Sequence, residues 1–208
     1  LASNWQPVLG AVAALTMVVA SVVAVTQHDV KRILAYSSVA HVGFILTGLV
    51  AASPAGVSAT LFYLLAYGIS TVGAFAIVGL VRDRTGEAGE LSAWAGLGHR
   101  SPIAAGLFAM FLLAFAGIPL TSGFVSKLAV FGAAVDGGAA PLVVVGVVCS
   151  AIAAYFYVRI IVLMFFTEPD GDAVTVDPPG AVTAAVVAVS ALITVVLGIA
   201  PQPVLDLA

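Results

Sequence analysis

The stretch Phe108-Ala109-Met110-Phe111-Leu112-Leu113-Ala114-Phe115-Ala116-Gly117-Ile118-Pro119-Leu120-Thr121-Ser122-Gly123-Phe124-Val125-Ser126-Lys127 decides how this chain is read. It opens as an uninterrupted apolar run, meets Gly117, Pro119 and Gly123, and ends on a lysine. Proline lacks an amide hydrogen and clashes with the carbonyl four residues earlier, here that of Phe115, so two half-helices are expected, joined between Gly117 and Gly123. An ammonium at bilayer depth costs about 2.5 to 3.5 kcal/mol on insertion scales, and such groups mark ion pathways. That cost applies only where the stretch lies in a membrane.

Composition meets that requirement. Of 208 residues, 62% are hydrophobic and 8% are charged, with mean hydropathy +1.20, against roughly 25% charged residues in an average soluble domain. The chain reads as an integral membrane protein whose surroundings are the lipid bilayer. It begins without methionine and without the basic and apolar regions of a signal peptide, and is expected to be part of a longer protein. A net charge of -3, with no stripe of basic and aromatic residues, argues against a nucleic-acid partner. The single cysteine, Cys149, reads as a small buried hydrophobe. There is no CxxC, HExxH, nucleophile elbow or phosphate-binding glycine loop, so no metal, cofactor or redox centre is expected within the chain.

About 20 apolar residues cross the hydrocarbon core, and six spans of that order are expected at 8–26, 31–51, 56–81, 102–134, 142–166 and 181–199. The fold class is therefore all-α, a polytopic transmembrane helix bundle in a single membrane domain. The 102–134 span would run roughly 50 Å as a straight helix, against ~30 Å of hydrocarbon, which is a second reason to break it near 117–123. Such breaks are tolerated where protein or water satisfies the freed backbone groups, as in ion transporters. Lys31, Arg32, Arg82, Arg84 and Arg100 belong to the first and third connections, whereas the second and fourth hold no lysine or arginine. Basic residues near span ends are retained on the cytoplasmic side, so both ends of the chain are expected on the exterior. The fifth connection, expected on the cytoplasmic side, is acidic, with Glu168, Asp170, Asp172 and Asp177.

All ten acids fall outside these spans, leaving Lys127 without a carboxylate at its own depth. Carbonyls, hydroxyls and water must solvate it, or its acidic partner belongs to another segment or subunit. His41 lies in Tyr36-Ser37-Ser38-Val39-Ala40-His41, four residues from Ser37 and so on the same helical face. The third span adds Thr60, Tyr63, Tyr67 and Ser70 or Thr71 at helical spacing. Imidazole exchanges protons near neutrality, and hydroxyls can carry hydrogen bonds between titratable sites. Lys127 and His41 are the candidate relay residues, with Tyr36, Ser37, Ser38, Tyr63, Tyr67, Ser122 and Arg159 as supporting relay or packing groups. The competing reading is a scaffold in which the same groups hold helices together, with Arg159 an interfacial anchor.

Two stretches are specific enough to carry a resemblance. They are Asp29-Val30-Lys31-Arg32-Ile33-Leu34-Ala35-Tyr36-Ser37-Ser38-Val39-Ala40-His41-Val42-Gly43-Phe44 and Ala116-Gly117-Ile118-Pro119-Leu120-Thr121-Ser122-Gly123-Phe124-Val125-Ser126-Lys127. Leu61 to Tyr67 and Ser150 to Arg159 extend it. The chain resembles the antiporter-like membrane subunits of respiratory complex I, the bacterial NADH-quinone oxidoreductase, with an actinobacterial cast. The resemblance implies the C-terminal part of a fourteen-helix subunit containing two inverted repeats, with Lys127 at the broken-helix position of the second. It implies proton translocation across the bacterial cell membrane, coupled to redox chemistry in other subunits that hold NADH, flavin, iron-sulfur clusters and quinone. It implies other membrane subunits, above all neighbouring antiporter-like ones, as partners. Multisubunit cation/proton antiporters and membrane-bound hydrogenases share the fold and remain as alternatives.

Overall fold

The computed structural model describes residues 2–84, 86–168 and 174–205. Asp170, Asp172 and Asp206 lie outside them. The helices are α1 (Ala2–Val25), α2 (Val30–Val50), α3 (Pro54–Val78), a short α4 (Leu97–Arg100), α5 (Pro102–Ala116), α6 (Ser122–Asp136), α7 (Ala140–Phe166), α8 (Ala181–Ile199) and a short α9 (Gln202–Leu205). Among them α1, α2, α3, α7 and α8 are long and apolar enough to cross a membrane. At 15 residues each, α5 and α6 reach only about 22 Å apiece, and the two together occupy the position of the remaining span.

Local chemistry sets the ends. The Asp29 side chain accepts from the Arg32 amide at 2.9 Å and caps α2. Ser53 caps α3 by accepting from the Gly56 amide, with Pro54 at the first helical position, where its missing N–H costs nothing. The first helix begins at Ala2, earlier than the expected residue 8, with Gln6 and Pro7 inside it. The third ends at Val78 rather than 81 because Val81 turns into a strand.

That strand belongs to a small sheet absent from the all-α expectation. Strand β1 (Val81–Asp83) pairs antiparallel with β2 (Gly86–Glu87) and with β3 (Thr175–Val176), giving the order β2-β1-β3. The first connection joins it, for the Val30 amide donates to Gly89 O and the Leu91 amide to His28 O, each at 2.8 Å. The first, third and fifth connections are thus fastened together at one end of the bundle. At the other end Gln6 Nε2 donates to Val50 O at 2.9 Å, Gly137 packs on the backbone of Ala51, and Ser58 Oγ donates to Leu205 O at 2.8 Å. The start of α1 and the end of α9 therefore lie with the second and fourth connections, opposite the basic end.

The core divides along the same axis. One apolar cluster, around Trp94, Phe108, Phe111, Phe156 and Met164, fills the sheet end. A second, around Met17, Phe44, Tyr63 and Val130, fills the other. Both candidate relay residues border Phe44.

Candidate functional site: a lysine at a helix break

Helix α5 ends because Gly117 adopts φ +82, a left-handed conformation that glycine enters without a Cβ penalty. The Gly117 amide donates to Ala114 O and the Ile118 amide to Leu113 O, each at 3.0 Å, the Schellman pattern that closes a helix C-terminus. Two carbonyls are left over. Phe115 O would need an amide from residue 119, which is proline, and Ala116 O one from Leu120, whose φ of +72 takes it out of the helix. Gly123 lets the first turn of α6 lie against the Ala114 carbonyl, where any Cβ would collide. One turn further on, Lys127 is brought back over the end of α5.

Its Nζ donates to Phe115 O at 2.9 Å, Ala116 O at 3.0 Å and Ser150 Oγ of α7 at 2.8 Å. The side chain is 6% exposed, and its Nζ stands 5.0 Å from the centre of the Phe44 ring. Three acceptors match the three donors of an ammonium, and the negative end of the α5 dipole adds to them. No carboxylate lies within 4.0 Å of it among the described residues. The two carbonyls can only accept, but Ser150 can turn its hydroxyl and donate instead. The site can therefore satisfy an ammonium with three donors or a neutral amine with two donors and one lone pair.

His41, 1% exposed, is held by both ring nitrogens. Nδ1 lies 2.9 Å from Tyr63 Oη and Nε2 lies 3.2 Å from Tyr157 Oη. Tyr157 is also hydrogen-bonded to Ser37. The ring of Tyr67 stacks on the imidazole at 4.1 Å between centroids, and its hydroxyl donates to Ser38 Oγ at 2.8 Å. Phe44 and Phe115 stand beside both His41 and Lys127, with ring centroids 5.6 and 5.8 Å from that of His41.

Of the predicted residues, Ser37, Ser38, His41, Tyr63 and Tyr67 form one hydrogen-bonded and stacked cluster. Ser122 and Ser126 border the same cavity as His41. Tyr36 faces outward, 37% exposed, away from the cluster. Arg159 Nη1 reaches Val25 O at the end of α1, 3.4 Å away. The sequence does not single out Ser150 and Tyr157, although they stand seven residues apart and so share one helical face in a mostly apolar helix. The Phe115 and Ala116 carbonyls have no side-chain signature at all. Beyond Lys127 an open groove of about 580 Å³ runs between α6 and α7 past Ser150, Leu128 and Phe131 to Asp136. Among the described residues no three His, Cys, Asp or Glu side chains converge as metal ligands would.

Residues 1–153 match the family model described as NADH:quinone oxidoreductase/Mrp antiporter, TM. The chain is 70% identical over 208 residues to NADH-quinone oxidoreductase subunit N of Rhodococcus opacus, an alignment covering 100% of this chain and 38% of that protein. It is 66% identical over 212 residues to the protein of the same name from Mycobacterium tuberculosis, covering 100% and 40%. It thus spans about two-fifths of the length of these curated relatives. Respiratory complex I from Thermus thermophilus contains a chain that superposes with TM-score 0.84 at 30% identity, covering 96% of this chain and 45% of that one. A chain of the Mrp complex from a Dietzia species gives TM-score 0.86 at 27% identity, covering 99% and 46%. The chain therefore belongs to the NADH:quinone oxidoreductase/Mrp antiporter transmembrane family.

Proposed function

We propose that these residues are the C-terminal part of a proton-translocating, antiporter-like subunit of a bacterial NADH-quinone oxidoreductase, and that Lys127 is a station in its proton relay. The observation that carries the reading is the Nζ of Lys127, set on two carbonyls freed by the helix break and on one reversible hydroxyl. That arrangement suits a group that changes protonation, because neither state leaves an orphaned donor. Redox chemistry takes place in other subunits, which carry NADH, flavin, iron-sulfur clusters and quinone. It acts on Lys127 through the charges of neighbouring membrane subunits.

His41 and its hydroxyl partners serve as the second station. The groove between α6 and α7 gives Lys127 an open side, on which an acidic partner from a preceding segment or an adjacent antiporter-like subunit would sit. The cluster of basic connections supports a cytoplasmic sheet end and an exterior position for both ends of the chain. In the assembled complex reconstituted into vesicles, Lys127→Ala is expected to reduce proton pumping at least tenfold while leaving the subunit incorporated. Normal pumping by a correctly assembled Lys127→Ala complex overturns the relay.

The superposition on an Mrp-complex chain supports a second reading, a subunit of a multisubunit cation/proton antiporter. The subunits that co-purify with the full-length protein decide between them. Companions bearing flavin and iron-sulfur clusters support the first reading, and a purely membrane-embedded set supports the second.

A further inference from the structure

Next to His41 lies a small, partly enclosed cavity of about 10 Å³, the lower limit for one water and too small for any larger ligand. Its polar lining comes from two helices besides the one that carries His41: Tyr63 and Ser70 from α3, and Ser122 and Ser126 from α6, with Tyr67 as a wall. A water held in a buried cavity needs two to four polar partners, and the four hydroxyls of this lining supply that number.

Donor accounting indicates why such a water belongs there. A neutral imidazole has one N–H, so His41 donates to one of Tyr63 and Tyr157 and accepts from the other. When Nδ1 donates to Tyr63, the Tyr63 hydroxyl hydrogen must find another acceptor, and the only described hydrogen bond of that hydroxyl is the one to His41. The cavity supplies the place for the acceptor. When the tautomer reverses, Tyr63 donates back to His41 and releases it.

On the far wall Ser70 Oγ is 2.9 Å from Ala66 O and 2.8 Å from Thr194 Oγ1 of α8, and Thr194 Oγ1 is 2.8 Å from Ser190 O. Two hydroxyl hydrogens thus face three contacts, so the Ser70 and Thr194 pair can point its hydrogens either way. Both residues are buried, at 1% exposure each. Thr194 lies five residues before the end of α8 at Ile199, near the end of the bundle that holds the start of α1 and the end of α9.

We propose that one water in this cavity bridges Tyr63 and Ser70, so that the His41 cluster branches through Thr194 toward that end of the bundle, with Ser126 linking the same water to the helix of Lys127. The proposal rests on the relay reading. Ser70 and Thr194 are positioning residues in it, since each acts through the water or through the other.

The test uses the full-length protein in its assembled complex, reconstituted in vesicles. Infrared difference spectra recorded in ordinary and oxygen-18 water are expected to show an isotope-sensitive internal-water band that Ser70→Ala removes. Thr194→Val leaves the cavity lining intact and should keep that band while lowering the initial pumping rate three- to tenfold, with uncoupled NADH oxidation unchanged. Thr194→Ser should restore the rate. If Lys127→Ala abolishes pumping but Ser70→Ala and Thr194→Val pump like the parent, the branch is wrong and the relay stands. If the band is absent from the parent, the water is wrong. If Lys127→Ala pumps normally, the relay itself falls.

Discussion

Three hydrogen bonds to a buried ammonium are worth more than three between neutral groups, about 1.5 to 3 kcal/mol each. Removing one acceptor at the Lys127 site is therefore informative. Ser150→Ala leaves Nζ with two carbonyls, so a stability loss within that range is expected in thermal unfolding of the purified subunit. It should vanish in the background of Lys127→Met, because no ammonium then needs the hydroxyl. Equal losses in both backgrounds would mean that Ser150 only packs. Lys127 was legible from sequence because a charge in an apolar run has few explanations. Its partners were not, since two are backbone carbonyls, exposed by a break whose geometry only the fold supplies. His41 was equally legible, whereas Tyr157, which completes its second hydrogen bond, comes from α7, more than a hundred residues away.

The break itself was readable at the level of elements. Glycine, proline and glycine within seven residues leave no continuous helix, and a 33-residue span exceeds the bilayer. What could not be read was that Gly123 serves packing rather than relaxation, pressing the first turn of α6 onto the last carbonyls of α5. A contrast within one helix tests this. At Gly132 an added Cβ meets nothing within 4 Å, so Gly132→Ala should be neutral or stabilise by up to about 1 kcal/mol through lower helix-forming cost. Gly123→Ala should instead destabilise by roughly 1 to 3 kcal/mol, as overpacking does, and weaken pumping by shifting Lys127. Similar melting temperatures for the two variants would show that α5 and α6 are not in close contact. The sheet was missed for a plainer reason. Strands of two or three residues are too short to carry a period-two pattern, and β1 and β3 lie more than ninety residues apart.

For the whole molecule, the sheet end is a clasp that ties the first, third and fifth connections while the relay lies between helices below it. Lys31 pairs with Glu87, Glu87 with Arg82 at 3.4 Å, and Arg82 with Asp177 at 3.1 Å. All four side chains are well exposed, so salt screens them and each adds little alone; the backbone ladder and the buried Trp94 carry most of the hold. The pairing still leaves a pH signature. The hydrogen bond and charge of Lys31 hold the Glu87 carboxyl below its ordinary value. A carboxyl depressed in the folded state stabilises the fold above its unfolded value of about 4.3, and that contribution fades as pH falls through the lower folded value. Amide hydrogen exchange at Ala88 and Asp177, whose N–H groups donate to Val81 O and Leu80 O, corrected for its intrinsic pH dependence, should therefore quicken in the parent on acidification. Glu87→Gln should already show the quicker exchange at neutral pH, and about 0.5 M salt should bring the parent toward it as screening shortens. If parent and Glu87→Gln exchange alike at every pH, the ion pairs contribute nothing, and the clasp is held by its backbone ladder and apolar underside alone.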